Sequence, residues 1–340
     1  MPPPRSRHDT QAGPPAESNL RARPDLSVVI VSYNVRDYLE RCLATIFSVP
    51  HRHEIEVFVV DNASSDGSSE MVRTKYPRAR LIANVANRGF AAANNQAIRQ
   101  STGRHVLLLN PDTEVREDAL DAMIDFMDSR STAERVGIVG VKITYADGSV
   151  HVSCCPFPSV PSTLSRLFYA AKIFPQSPTF AAHRFAVCDW EAATWTDWVT
   201  GACLLIRRET IDEIGLMDEG YFLYYEETDW CRRARRSGWR VLYWPGASVV
   251  HHGGQSVAQH APLSLEHSIA GLLRYYCKHH RAFDVVVVHL ALIVALLVRA
   301  TRLPSVIPRL FGRRWPARSP LSRQLSVALR SIAHYVDTLL

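Results

Sequence analysis

Three apolar runs early in the chain each stop abruptly at a polar cluster, and no other feature constrains the fold as much. Leu26–Val31 stops at Ser32-Tyr33-Asn34, Ile55–Val60 at Asp61-Asn62, and His105–Leu109 at Asn110-Pro111-Asp112. Runs this short, bounded by polar residues and rich in β-branched side chains, are expected to be buried strands. The segments between them have a helical period instead. Arg36–Phe47 places Tyr38, Leu39, Cys42, Leu43 and Ile46 on one side, and Ser68–Tyr76 and the Ala-rich Gly89–Gln100 fit helices too. Leu81-Ile82 adds a short strand, Glu117–Arg130 an amphipathic helix and Val136–Ile143 a further strand. Strands alternating with helices predict an α/β fold, a Rossmann-like, doubly wound and mostly parallel sheet. Such sheets bind ligands beyond the carboxyl ends of their strands, where the three polar clusters fall.

Farther along, Pro156–Ala186 has no clear period and is expected to be a long loop or lid near the acceptor. Trp198–Arg207 is expected to be a strand entering a helix, Glu226–Arg236 a helix, Trp239–Trp244 and Ser248–His251 strands, and Pro262–His280 a helix. Val285–Val298 is almost wholly apolar but shorter than the roughly 20 residues of a spanning helix, which predicts an interfacial or re-entrant helix, a core helix being the alternative. The division expected is a disordered Pro-rich leader over 1–24, a catalytic domain over 25–258 and a helical, basic and apolar membrane-associating tail over 259–340. Charge supports that tail. Residues 271–340 hold eleven Lys and Arg against two Asp, whereas residues 1–270 hold 28 basic against 31 acidic side chains. A basic, apolar tail on a mildly acidic body suits an anionic membrane surface, and speaks against nucleic acid as a partner. The seven cysteines include no CxxC pair and are expected to be buried or idle thiols.

Several clusters carry potential chemistry. Asp61 at a strand end can accept hydrogen bonds from a ribose hydroxyl or a base N–H; the alternative is an Asx turn with Asp66 capping the next helix. Asp112 can hold Mg2+ or Mn2+ on a diphosphate, or simply close a turn. Glu226, Glu227 and Asp229 crowd three carboxylates beside the aromatic run Tyr221–Tyr225, which raises a pKa toward a value useful in a general base; the alternative is charge complementing a helix N-terminus. His251-His252-Gly253-Gly254 offers imidazole for a transition metal, or a structural histidine pair.

The order and spacing of these clusters make the chain recognisable. The blocks are Val31-Ser32-Tyr33-Asn34, Asp61–Ser68, Asn87-Arg88-Gly89-Phe90 through Gln96, Leu109–Asp112, Gly201-Ala202, Met217–Arg232 and His251–Gly254. Over about residues 26–256 the chain resembles the family 2 glycosyltransferases, especially the rhamnosyltransferase-like branch acting on cell-surface polysaccharides. The resemblance implies a GT-A type fold. It implies an inverting transfer of a sugar from a nucleotide-sugar, dTDP-rhamnose or a UDP-sugar, to a hydroxyl of a lipid-linked or growing surface glycan. It places Asp61 on the base or ribose with Ser32, Tyr33, Asn34 and Asn62 around it, and Arg88, Gly89, Asn94 and Asn110 along the donor. It places Asp112 and His251 on a Mg2+ or Mn2+ ion. The general base aligns with the acidic cluster, where Glu227 stands at a position usually held by Asp, so Glu226, Glu227 and Asp229 all stay candidates. The location implied is the cytoplasmic face of the plasma membrane. Two other classes compete: a sugar nucleotidyltransferase, against which the glycine-free Val28–Asn34 argues, and a non-catalytic membrane-associated binding module, which would have no use for Asp112 and the acidic cluster.

Overall fold

The computed structural model describes residues 23–170, 189–253 and 261–300. Its core is one sheet in the order β3-β2-β1-β4-β10-β6-β11-β5, with β8 alongside β11. The strands are β1 (Leu26–Ser32), β2 (Ile55–Asp61), β3 (Arg80–Ala83), β4 (His105–Leu109), β5 (Thr113–Val115), β6 (Val136–Thr144), β8 (Thr194–Thr196), β10 (Cys203–Arg207) and β11 (Arg240–His251). Neighbours β3, β2, β1 and β4 run parallel, and β6 and β11 share their direction; β10, β5 and β8 oppose it. The expected mostly parallel sheet is therefore present. A two-stranded ribbon, β7 (Cys154–Cys155) with β9 (Trp198–Val199), lies apart from it.

Helices cover both faces. They are α1 (Arg36–Phe47), α2 (Ser68–Lys75), α3 (Phe90–Gln100), α4 (Ala119–Ser129), α5 (Val160–Leu167), α6 (Arg208–Ile214), α7 (Glu226–Arg236), α8 (Ala261–His279) and α9 (Ala282–Ala300). Because side chains alternate along a strand, β1 sends Leu26, Val28 and Ile30 into a core with α1, α2 and α4. Val29 and Val31 enter a second core with α3 and α7. This double burial explains why the runs read as continuous rather than alternating hydrophobicity.

Two expectations change in detail. The segment expected to be a long loop contains α5, begun by a reciprocal Ser159–Ser162 capping box with Pro161 in its first turn; residues 171–186 lie outside the described residues. The two strands expected in 239–251 are one strand, β11, whose register shifts between Trp244 and Ser248. Pro245 sits in that interval, where it has no N–H to give a ladder. The expectation of idle thiols holds for Cys42, Cys155, Cys203, Cys231 and Cys277, but Cys154 is disulfide-bonded.

A third core cluster joins α5, the turn Tyr221–Tyr225, α8 and α9. Tyr275 and Tyr276 of α8 are fully buried there, with Val288, Leu292 and Leu296 of α9. The opposite face of α9 leaves Val286, Leu290, Ile293, Val294 and Leu297 exposed at helical spacing. At 19 residues α9 is about 28 Å long, yet it commits one face to protein, and among the described residues no helix is long and apolar enough to cross a membrane. Residues 1–22 and 301–340, which include the expected leader and the basic end of the tail, lie outside the described residues.

Candidate active site

Parallel pairing brings the three polar clusters to one edge. Ser32 pairs with Asp61, and Ile30 with Leu109, so all three strands end on the same side of the sheet. Antiparallel β10 starts at this edge, with Cys203 opposite Leu109, so Gly201-Ala202 lies there too. The Asn110 N–H donates to the Ala202 carbonyl at 2.9 Å. Added to Gly201, a Cβ would lie 3.5 Å from Phe90 and 3.8 Å from Glu227. This one turn therefore touches the Arg88-Gly89-Phe90 segment, the Asn110–Asp112 turn and the acidic cluster. The sequence could not show that convergence, since these residues are far apart in the chain.

On the β1–β2 side the expected donor residues divide. The Asp61 carboxylate is buried and accepts from the Ser64 N–H at 3.1 Å and from the Ser69 hydroxyl. Asn34, at φ 53°, accepts from the Ser65 N–H at 2.8 Å, and its own N–H donates to Ser64 Oγ at 2.9 Å. Asp66 accepts from the Ser68 N–H and hydroxyl at 3.0 and 2.6 Å, an Asx turn, but the N-cap of α2 is Gly67 and not Asp66 as the alternative had it. Ser32 is fully buried and its Oγ has no partner among the described residues. Tyr33 follows it, partly exposed at the edge.

Asn62 corrects its assignment. Its Nδ2 donates to Asn87 Oδ1 and the Gly89 carbonyl, and its Oδ1 accepts from Asn84 Nδ2 and the Arg88 N–H. Those four bonds use the whole capacity of the amide, so Asn62 shapes the 84–89 loop and offers no side-chain group to a ligand. Asn94 is likewise turned inward, with Nδ2 on the Phe90 carbonyl at 2.9 Å and Oδ1 without a partner among the described residues. Arg88, in contrast, is exposed. Gly89 has φ +80° and its Cα faces Phe222: an added Cβ would fall 2.5 Å from the Phe222 carbonyl oxygen, which accepts from the Phe90 N–H at 2.7 Å. Only glycine fits there.

Across the edge, Asp112 and His251 meet. Asp112 Oδ1 and His251 Nε2 are 3.1 Å apart, both residues are buried, and Asn110 Nδ2 is 3.5 Å from the same imidazole nitrogen. β5 and β11 set this pair by placing Thr113 opposite His251. The hairpin at Tyr145–Gly148 adds a residue the sequence reading missed: His151 stands edge-on to His251, ring centroids 5.4 Å apart. One carboxylate and one imidazole suit a divalent ion such as Mn2+. Among the described residues no group of three or more His, Cys, Asp and Glu side chains could hold a metal. The pair therefore fits a cation whose other ligands come from a diphosphate and water, the usual arrangement for Mg2+ at a phosphate site.

The acidic cluster divides more sharply. Tyr224 and Tyr225, at φ 73° and 72°, turn the chain into α7 through two left-handed residues. Such backbone costs on the order of 1–3 kcal/mol per residue and needs surroundings that hold it. Here they are the buried Tyr225 ring, 5.9 Å from Tyr275, a hydrogen bond from Arg166 to the Tyr225 hydroxyl, and Gly271, whose missing Cβ would lie 2.6 Å from the Tyr224 carbonyl. Glu227 follows and reaches a pocket of about 220 Å³ between α5, α8 and this turn, with Trp198 on its wall. Burial pushes its carboxyl up, partly offset by the N–H groups of Glu227, Thr228 and Gly201 turned toward it. Burial pushes Glu226 well up, and the neighbouring Glu227 charge pushes it further.

Asp229 is no base candidate. It is fully buried, with His279 Nε2 at 2.6 Å and Lys278 Nζ at 2.8 Å on Oδ1 and Arg233 Nε at 2.9 Å on Oδ2. Burial alone would raise its pKa; hydrogen bonds from His279, Lys278 and Arg233 hold it well below the usual carboxylate range. Burial also keeps His279 toward its neutral form, consistent with Nδ1 accepting from Arg236 at 2.9 Å while Nε2–H donates to Asp229.

With this geometry in view, the comparisons are specific. The family model Glycosyl transferase family 2 matches residues 27–189. An N-acetylglucosaminyl-diphospho-decaprenol L-rhamnosyltransferase of Mycobacterium tuberculosis is 32% identical over 247 residues, 69% of this chain and 78% of the relative. The chain belongs to glycosyl transferase family 2. It is an enzyme of the rhamnosyltransferase-like kind within that family. The low-salt glycan biosynthesis hexosyltransferase Agl10 of Haloferax volcanii is 25% identical over 67% of each chain. Among solved structures, the mannosyltransferase PcManGT of Pyrobaculum calidifontis, in complex with GDP-Man and Mn2+, superposes with a TM-score of 0.53 at 20% identity, covering 94% of this chain and 88% of its own, which supports the same fold. The transferase thus gathers the polar turns after β1, β2 and β4 on one edge of a mostly parallel sheet consistent with a GT-A fold.

Proposed function

We propose that the enzyme transfers a sugar with inversion from a nucleotide-sugar, dTDP-rhamnose first among candidates and a UDP-sugar next, to a hydroxyl of a lipid-linked glycan acceptor. The observation that carries this is the division of the carboxylates: Glu227 is at the pocket with its pKa raised, and Asp112 is paired with His251 beyond the Gly201-Ala202 turn. The relative's name supports rhamnose as the sugar and an N-acetylglucosaminyl diphosphate lipid as the acceptor.

In this reading Glu227 takes the proton of the acceptor hydroxyl, whose oxygen bonds to the anomeric carbon as the bond to the nucleoside diphosphate breaks on the opposite face. Glu226 is pushed further up by the Glu227 charge, so of the pair Glu227 gives up its proton first. Arg88, exposed just before α3, would meet the donor phosphates. Ser32, Tyr33 and Asp61 border the base and ribose, and Asp61 keeps lone pairs beyond the two bonds it already accepts. Asn110, Asp112 and His251 would hold Mg2+ or Mn2+, which when bound neutralises charge on the departing diphosphate. The outward apolar face of α9 rests on the anionic surface of the membrane carrying the acceptor, on its cytoplasmic side, as a peripheral contact.

The test is transfer from radiolabelled dTDP-rhamnose, UDP-sugars and GDP-sugars with Mn2+, Mg2+ or EDTA, the product's anomeric configuration being read by NMR. Inverted, cation-dependent product that fails in Asp112→Asn is expected. Pyrophosphate release from a nucleoside triphosphate in place of glycoside formation would make the enzyme a nucleotidyltransferase, and no product from any donor would refute the proposal.

A further inference from the structure

The Glu227 pocket has a second chemical end. α5 turns Ser162, Thr163 and Arg166 into it, and α8 adds Ser268. Arg166 is exposed, donates to the Tyr225 hydroxyl and lies 5.9 Å from the Tyr225 ring centre. Among the described residues no carboxylate is within ion-pairing distance of it, whereas nearby Arg233 pairs with Asp229, Arg274 with Asp218, and Arg235 with Asp197; Arg232 and Arg236 instead bond the Tyr275 hydroxyl and His279. A guanidinium fixed by a tyrosine and open to a pocket is suited to a planar or tetrahedral oxyanion.

Glu227 sets the opposite requirement. A ligand anion beside that carboxylate would be repelled, so the occupant has to present a neutral hydroxyl to Glu227 and its negative charge toward Arg166. The other side of α5 gives a third constraint. Val160 and Leu167 pack into the cluster shared with α9, whose outward face is apolar. The pocket is thus one helix away from an apolar surface.

We infer that this pocket is the acceptor site and that Arg166, with the hydroxyl of Ser268, binds the diphosphate of a lipid-linked glycosyl diphosphate. The inference rests on the transferase reading above and narrows it: a neutral polysaccharide would leave Arg166 without its counter-charge. Arg166 is a specificity residue in this view, and the proton transfer remains with Glu227.

The experiment compares two acceptors bearing the same sugar, a short-chain isoprenyl diphosphate glycoside and an alkyl glycoside without phosphate, at saturating donor. The wild type is expected to favour the diphosphate in kcat/KM. Arg166→Gln should shrink that ratio about 10- to 100-fold, the loss expected for charge-assisted hydrogen bonds. Arg166→Lys, which keeps the charge but not the fork, should hold an intermediate ratio, and it serves as the second variant if the glutamine form melts early. An unchanged ratio in both variants, or a wild type indifferent to the diphosphate, overturns the Arg166 inference and leaves the transferase reading standing. A wild type that glycosylates neither acceptor with any donor overturns both.

Discussion

Replacing Asp229 with asparagine tests whether the structure has divided the acidic cluster correctly. Asp229 has no exposure, and its two oxygens meet His279, Lys278 and Arg233 at 2.6, 2.8 and 2.9 Å. Asparagine keeps one acceptor oxygen and turns an NH2 toward a donor, leaving the partly exposed Arg233 and Lys278 without their buried counter-charge and the neutral His279 competing for one acceptor. Breaking one partner of a buried ion pair costs about 3–5 kcal/mol. At roughly 2–4 °C per kcal/mol for a domain of this general size, the melting temperature should fall by roughly 6–20 °C. The damage should centre on α8, because Lys278 and His279 of that helix bond Asp229, beside the contacts that Arg232 and Arg236 of α7 make with Tyr275 and His279. Differential scanning fluorimetry gives the melting shift, and initial rates well below the transition give kcat. Glu227→Gln is the comparison: it should melt near the wild type, since Glu227 lines the pocket and its Oε2 has no partner among the described residues, yet lose activity. If Asp229→Asn instead melts like the wild type while its kcat collapses, Asp229 acts in the chemistry and the division proposed here is wrong.

Other outcomes follow from the same geometry. Glu227→Gln should lower kcat about 10²- to 10⁴-fold, the usual range for loss of a general base. Because the base must be ionised and burial raises its pKa, the acid limb of the wild-type kcat/KM profile should fall above the ordinary glutamate value; a limb at or below about 4.3 contradicts this. Gly89→Ala places a Cβ 2.5 Å from the Phe222 carbonyl at φ +80°, so a loss of about 2 kcal/mol or more is expected in urea denaturation, together with a raised donor KM. Leu290→Asp with Leu297→Asp on the outward face of α9 should reduce the fraction that floats with vesicles containing phosphatidylglycerol, without altering the melting temperature; equal flotation would remove α9 from the membrane contact.

The acidic cluster also shows the limit of reading the chain alone. Strands β1, β2 and β4 were legible because burial on both faces demands continuous apolar runs, and their carboxyl ends because the runs stop at Ser32, Asp61 and Asn110. The helices α1 and α7 were legible by period, with bounds matching those expected. Helix α5 was not, since eight residues are little more than two turns, too short for a period to stand out inside the longer segment that holds it. Arg166 was hidden with it. His151 was missed because a histidine in a polar hairpin gives no sign of what the turn will bring it against.

By itself the sequence determined the sheet, the edge on which its polar groups gather and the family, because local period and the placement of polar stops are properties of neighbouring residues. Only the tertiary structure decided what each acid does. Glu227 and Asp229 stand two positions apart, but a carboxyl's proton affinity depends on what surrounds it. One side chain opens to a pocket made by α5 and α8, and the other is enclosed by Lys278 and His279, some fifty residues farther along the chain.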